Sequence, residues 1–467
     1  MKKTFKFFMM AAIVAAGFTG CSSEETNGPT EIQKADKMGV LELKFVNGAE
    51  TYADVPAIAS EKEVKNVLVS IVHQNGTIKD TVVNASQLTV EKIPLPSGAV
   101  TVYVGVNLGN GVFGAPASSN YYTAALPAAS RKMLDLRPTS SLSNALDTFK
   151  LTYPMFAGIN ATPTNEGFHM FSSATSGVQA QIIADTETSI TVDVKRLVAK
   201  VNVKTTLSGT VTEKDIKYNI STMAFAMGQA NMSTYYLPNP GNHDPNYTTP
   251  MSGSKPNLDA AFRKNFANEF VTRRGATWEI SQFKPVTTNF TETNSKYVLE
   301  NTSDVAAYGA STYACIKVQF EPPFTVTYTA GSLVAPTQVA WSVPSPNNLY
   351  VVRNASEVYF FKNESEAIAF RNEVFDVVPL GTPHNVEVEL FKDQTCFYWV
   401  FTGAADTKQT IRNDYYQLNV TKINSLGYPQ GEILDDKKDD VDGDGKLTVT
   451  VNIVEWNGVT KDVTLQK

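Results

Sequence analysis

Catalytic signatures are missing from this sequence. Its four histidines, His73, His169, His243 and His384, are scattered singly, and none pairs with another at metal-ligand spacing. No GxSxG, HExxH, phosphate-binding loop or dinucleotide fingerprint occurs. Carboxylate pairs brought together only by folding are the one catalytic option left open. Basic excess is also lacking: the net charge is -6 and the pI about 5.5, which argues against a nucleic-acid footprint. Cysteine is scarce, with only Cys315 and Cys396 beyond Cys21, so a disulfide framework is excluded. Both stand in apolar runs, which predicts buried thiols. The apolar stretch from Phe7 to Ala16 is too short to span a bilayer, and self-similarity at a solenoid period is absent. The chain is read as a non-enzyme without cofactor or metal.

What is present begins with a leader. Lys2, Lys3 and Lys6 precede the apolar stretch, and residues 1–20 read as a secretory signal peptide. Phe18-Thr19-Gly20-Cys21 resembles a bacterial lipobox, which makes Cys21 the lipidated residue, although phenylalanine stands where leucine is usual. Ser22-Ser23-Glu24-Glu25 resembles the surface-export signal of Bacteroidetes lipoproteins. The polar stretch to residue 38 is a flexible linker, giving a lipidated leader over 21–38.

Strand patterns fill most of the remainder. In VLELKFV, Leu41, Leu43 and Phe45 share one face and Glu42 and Lys44 the other. VLVSIV (67–72) and VTVYVGVNL (100–108) follow, the latter nearly continuous in apolar residues as in a strand covered on both sides. In ITVDVKRLVAKVNV the apolar phase slips: Ile190, Val192 and Val194 are even-numbered, but Leu197, Ala199, Val201 and Val203 are odd. A one-residue slip exchanges the buried face, so a bulge or sheet crossing is predicted near Lys195-Arg196. A domain boundary is placed just after it, near 206–209. The second half carries TYACIKVQF, NVEVELF, CFYWVF and YYQLNVTKI as strands. It has one clear helix over 257–275, with Phe262, Phe266 and Phe270 on one face, and a weaker one over 365–374. Short strands separated by turn residues indicate a mainly β protein of two β-sandwich domains with few short helices. The divisions are 39–207, 208–434, an acidic linker 435–446 and a C-terminal strand segment 447–467.

Two features of the tail stay open at this level. Asp440-Val-Asp442-Gly-Asp444-Gly445 begins like a calcium loop, but position twelve is Val451 where a bidentate glutamate is needed, so a solvated acidic tether is the simpler reading. After it, Leu447, Val449, Val451 and Ile453 form one apolar row, and Val459, Val463 and Leu465 a second, with Trp456 between them. Asn457-Gly458 fits a tight hairpin that closes the chain's own domain. Alternatively, the tether carries the strand to another molecule.

These features together resemble the fimbrillins, and more narrowly the stalk subunits of the minor fimbriae of Bacteroidales (type V pili). The resemblance rests on Arg412-Asn413-Asp414-Tyr415-Tyr416-Gln417-Leu418-Asn419-Val420, with Ile423 and Gly427 in register. Further support comes from Lys296 to Asn301, Ser311-Thr312-Tyr313 through Val318, Val194-Lys195-Arg196 through Val203, and the run through Trp456. It implies two transthyretin-like sandwiches and polymerisation by donor-strand exchange. In that process a protease removes the first strand and a neighbouring subunit's last strand fills the groove. Leu447, Val449, Val451, Ile453, Trp456, Val459, Val463 and Leu465 would be the donor residues. The partners implied are other fimbrial subunits, the outer membrane through the lipid of the precursor, and an adhesion receptor. The setting is a cell-surface fimbria supporting adhesion and biofilm formation. One departure matters: the first arginine of this chain is Arg131, whereas the family's groove-opening cut follows an arginine just past the first strand. Lys44 and Lys62 are the candidate processing sites, while Lys34 and Lys37 precede the strand. Cleavage at another residue type, or none at all as in a cell-anchored subunit, stays open. A tip adhesin or a surface glycan-binding lipoprotein, using aromatics such as Tyr121-Tyr122 or Tyr235-Tyr236, is the alternative.

Overall fold

The computed structural model describes residues 38–46, 66–75, 78–84, 89–91, 93–106, 170–172, 177–207, 209–213, 216–228, 283–291, 294–302, 311–332, 334–342, 347–354, 357–379, 381–402, 409–431, 447–455 and 460–466. The expected helix over 257–275, Cys21, Lys62, the acidic linker, Trp456, Val459 and the two tyrosine pairs lie outside them.

The protein is mainly β. The first group of strands comprises β1 (Met38–Val46), β2 (Asn66–His73), β3 (Ile78–Asn84), β4 (Thr89–Glu91), β5 (Ile93–Pro96), β6 (Gly98–Val106), β7 (Met170–Ser172), β8 (Val178–Ile182) and β9 (Glu187–Arg196). The next comprises β10 (Val198–Thr205), β11 (Gly209–Glu213), β12 (Ile216–Gly228), β13 (Lys284–Pro285), β14 (Lys296–Leu299), β15 (Tyr313–Glu321), β16 (Phe324–Thr327) and β17 (Thr337–Ala340). Last come β18 (Leu349–Arg353), β19 (Val358–Phe361), helix α1 (Glu364–Phe370), β20 (Val388–Phe391), β21 (Thr395–Phe401), β22 (Asp414–Ile423), β23 (Leu447–Glu455) and β24 (Thr460–Gln466). The weaker helix read from the sequence is α1, continued by one π-turn to Phe375.

The first sheet runs β3-β2-β6-β7-β9-β1-β24-β4, with β5 also beside β1 and β8 beside β6. Its core is aliphatic: Leu41, Val67, Val69, Ile71, Val102, Val104, Val192 and Val194 are buried together. The second group is a sandwich in which sheet β14-β10-β22-β23 faces sheet β11-β12-β15-β21. Val201 and Val203 of β10, Phe225 of β12, Ile316 and Val318 of β15 and Leu418 and Val420 of β22 meet in one core. A smaller aromatic core joins Val326, Tyr328, Val352 and Phe361 to Phe370 of α1. There Tyr328 donates its hydroxyl to Glu373 at 2.9 Å, and the same carboxylate accepts the Gly331 N–H at 2.7 Å.

The phase slip has the predicted consequence. β9 ends at Arg196 in the first sheet, and β10 starts at Val198 in the second. Val192 and Val194 face the first core, while Ala199, Val201 and Val203 face the second. The change of sheet therefore falls at Leu197. Cys315 and Cys396 are buried, as predicted. They stand on different rungs, because Cys315 pairs with Trp399 and Cys396 with Val318.

Candidate functional site at the first and last strands

β1 is an interior strand. On one edge it runs parallel to β9, from Val40 opposite Glu187 to Val46 opposite Asp193. On the other edge two strands share it: β5 pairs with Met38 to Leu41, and β24 pairs with Leu43 to Val46. Leu41 is fully buried in the first core. At its start the strand is packed so closely that a Cβ on Gly39 would stand 2.3 Å from the Ile183 carbonyl oxygen, so only glycine fits there. The Asp185 N–H donates to the Met38 carbonyl at 2.9 Å. Lys44 sits between Thr191 and Asp462 in this three-strand ladder. A peptide bond paired on both edges is closed to a protease cleft, so cutting there requires the strand to fray first.

The tail is paired within its own chain. β23 lies antiparallel along β22, from Ile423 opposite Leu447 to Asp414 opposite Glu455, with a bulge between Val420 and Lys422. This register sets Val449, Val451 and Ile453 in the rows of Val420, Leu418 and Tyr416, which are core residues of the sandwich. β24 pairs with β1 and, over Thr464 to Gln466, with β4. Val463 stands opposite Leu43, and Leu465 opposite Val90. β23 and β24 belong to different sheets, and Asn457-Gly458, expected as a tight hairpin, lies outside the described residues. Both tail strands pair within their own chain.

The two motifs holding Glu300 and Arg412 meet where β9 passes into β10. The Arg412 guanidinium donates to Glu300 through Nε at 2.7 Å and through a second nitrogen, with both side chains buried. Asn413 adopts a left-handed φ of 65°, a conformation asparagine tolerates better than most residues. Its backbone N–H donates to the Val198 carbonyl at 2.9 Å, and its Oδ1 accepts the Arg196 N–H at 3.2 Å. Thr410 and Asn301 exchange two backbone bonds at 2.8 Å beside them. This polar knot fastens the crossing. The sequence offered its residues as separate strand motifs and gave no sign of their convergence.

Lys296, at the start of β14, is lowered to about 8, first by burial and then by repulsion from Lys284. Between pH about 8 and the usual 10.5 the unfolded chain holds more protons than the folded one, so stability should rise with pH across that window. Lys296→Met should flatten the rise, which is on the order of 1–3 kcal/mol. Urea midpoints at pH 7.5 and 10 would measure it.

Among the described residues, no three His, Cys, Asp or Glu side chains gather as a metal set. His73 and His384 contact backbone carbonyls, of Pro96 at 3.2 Å and of Asp376 at 2.9 Å.

Residues 390–462, which take in β21, β22, β23 and the start of β24, match the family described as major fimbrial subunit protein type IV, fimbrillin, C-terminal. No curated protein sequence matches the chain. Among solved structures, a fimbrilin from Porphyromonas gingivalis W83 is 12% identical, with 91% of this chain and 99% of that one covered and a TM-score of 0.44. The C-terminally truncated tip fimbrial protein of Porphyromonas gingivalis is 13% identical, with 89% and 100% covered and a TM-score of 0.31. A fimbrial assembly protein from Parabacteroides distasonis is 14% identical, with 69% and 94% covered and a TM-score of 0.29. Over residues 390–462 the chain is similar to the C-terminal region of the fimbrillins.

Proposed function

We propose that the protein is a structural, non-enzymatic subunit of a cell-surface fimbria. It is exported as a precursor lipidated at Cys21 and anchored in the outer membrane, then polymerised with other fimbrial subunits by donor-strand exchange. The observation that carries the reading is the position of β1 between β9 and β24. Excising an interior strand leaves a slot with a row of unpaired backbone groups and an apolar floor, which another strand can fill. The same excision takes from β24 its longer pairing, leaving only the three-residue contact with β4. Opening the acceptor and freeing the donor then become one event. Lys44 and Lys62 are the candidate cuts. In this reading the assembled fibre supports adhesion and biofilm formation.

One observation favours a second reading, a cell-anchored terminal subunit that is never cut. Lys44 is enclosed on both edges, and no arginine precedes Arg131.

Incubating the purified, lipid-free chain with a trypsin-like protease tests both. Ladders on mild SDS gels are expected, and deletion of Leu447–Lys467 should abolish them. Ladders that persist after the deletion would overturn the donor role. Absence of ladders in the intact chain, with β1 still attached, would favour the anchor.

A further inference from the structure

The sheet β14-β10-β22-β23 is buried on both faces at its centre. One face belongs to the sandwich core through Val201, Val203, Leu418 and Val420. The other carries polar residues that are nonetheless buried: Lys200 and Asn202 are fully enclosed, and Gln417 is 2% exposed. Alternation along a strand ordinarily sends such residues to water. Here they form rows across the sheet. Asn202 is the partner of Gln417, and Gln417 is the partner of Asn452 on β23. Directly paired residues share a face, with Cβ atoms about 4.5–5.5 Å apart, so the register gathers three amide residues in one row.

We infer that Asn202, Gln417 and Asn452 are the residues that fix the register of the C-terminal strand β23. A buried amide costs free energy unless its donors and acceptors are met, and an apolar environment sharpens that penalty. Asn202 donates to the Thr291 carbonyl at 2.5 Å and to Ser295 Oγ at 3.2 Å, which anchors the row at its inner end. A slip of one residue would exchange the faces of β23 and set its valines in the amide row. Slips of two residues keep the faces and are the ones the apolar pattern cannot prevent. One such slip sets Asn452 against Tyr415 and Thr450 against Gln417, and the other sets Val454 against Gln417 and Asn452 against Asn419, so that in both Gln417 loses its amide partner on β23. Both break up the amide row, which is how a buried polar position selects one register at some cost in stability. A two-residue slip moves the strand by roughly 7 Å, enough to displace β24 along β1. This inference concerns the strand's seat in its own chain, and it stands whether or not the tail is later exchanged.

Disulfide trapping in the full chain reads the register directly. Asp414→Cys with Glu455→Cys reports the observed pairing, and Asp414→Cys with Ile453→Cys reports a two-residue slip. The first pair is expected to cross-link at least tenfold more than the second. Replacing Gln417 and Asn452 together by leucine should bring the two yields within about twofold. Asn452→Leu alone, on an edge strand, should speed hydrogen exchange of the β23 amides at least tenfold, and Asn452→Gln should not. These single changes keep the question decidable if the double variant does not fold. A slipped yield unchanged in the double variant, or equal exchange in Asn452→Leu and the parent chain, would overturn the inference.

Discussion

Arg412→Ala is expected to destabilise the protein by about 3–5 kcal/mol, the usual cost of removing one partner from a buried ion pair. The guanidinium holds both oxygens of Glu300, and neither side chain is in water. Truncation would leave the Glu300 carboxylate enclosed without its counter-ion. It would also loosen the turn in which Asn413 binds Val198 and Arg196 across the sheet crossing. Arg412→Lys should recover only part of the loss, because an ammonium cannot grip two oxygens in a planar fork. Pairing Arg412→Met with Glu300→Leu should cost clearly less than Arg412→Ala alone, since no charge is then stranded. Urea unfolding of the three variants decides the matter. A midpoint for Arg412→Ala within error of the parent chain would mean that the knot is not what fastens the crossing.

Apolar alternation and short apolar runs are enough to locate β1, β2, β6, β15, β21, β22 and β23, because a half-buried strand repeats with period two and a strand covered on both faces is a short continuous apolar run. Alternation is also enough to place the crossing, because the switch from even to odd apolar positions at Arg196 and Leu197 is itself the change of core. Pairing partners were not legible. Nothing local in Leu447–Glu455 tells whether the strand joins β22, β24 or another molecule, since an apolar row fits any apolar trough. The acidic composition of 435–446 marks a tether and leaves its destination open. Lys200, Asn202 and Gln417 are polar residues within their strands, and only the tertiary fold encloses them. Glu300 and Arg412 are 112 residues apart, and no spacing rule connects them.

A chain that begins at Asn47, lacking β1, should assemble without any protease. In the intact chain β9 is paired with β1 over seven residues, from Glu187 to Asp193. Loss of the strand leaves those backbone groups with water as their only partner. It also removes Leu41, whose full burial is worth about 1.5–3 kcal/mol. Each backbone hydrogen bond recovered adds about 0.5–1.5 kcal/mol. Refilling the slot with a strand therefore gains several kcal/mol, against which stands the cost of bringing two molecules together. The chain's own β24 already lies at the far edge of the slot, but the parallel pairing with β9 is left vacant by β1. A second molecule's tail, released from its own β1 in the same way, is the nearest strand of matching pattern. The expected change is from a single monomer band to nearly complete laddering at micromolar concentration, seen on mild SDS gels and by light scattering. A synthetic peptide with the sequence of Met38–Val46, added in excess, should suppress assembly by reoccupying the slot. Removing Leu447–Lys467 as well should leave a chain with a vacant slot and no strand to offer, which forms no ladder. If the chain lacking β1 stays monomeric and its β23 and β24 amides exchange as slowly as in the intact protein, the last strand is a closing element of its own fold and strand exchange is not how this subunit assembles.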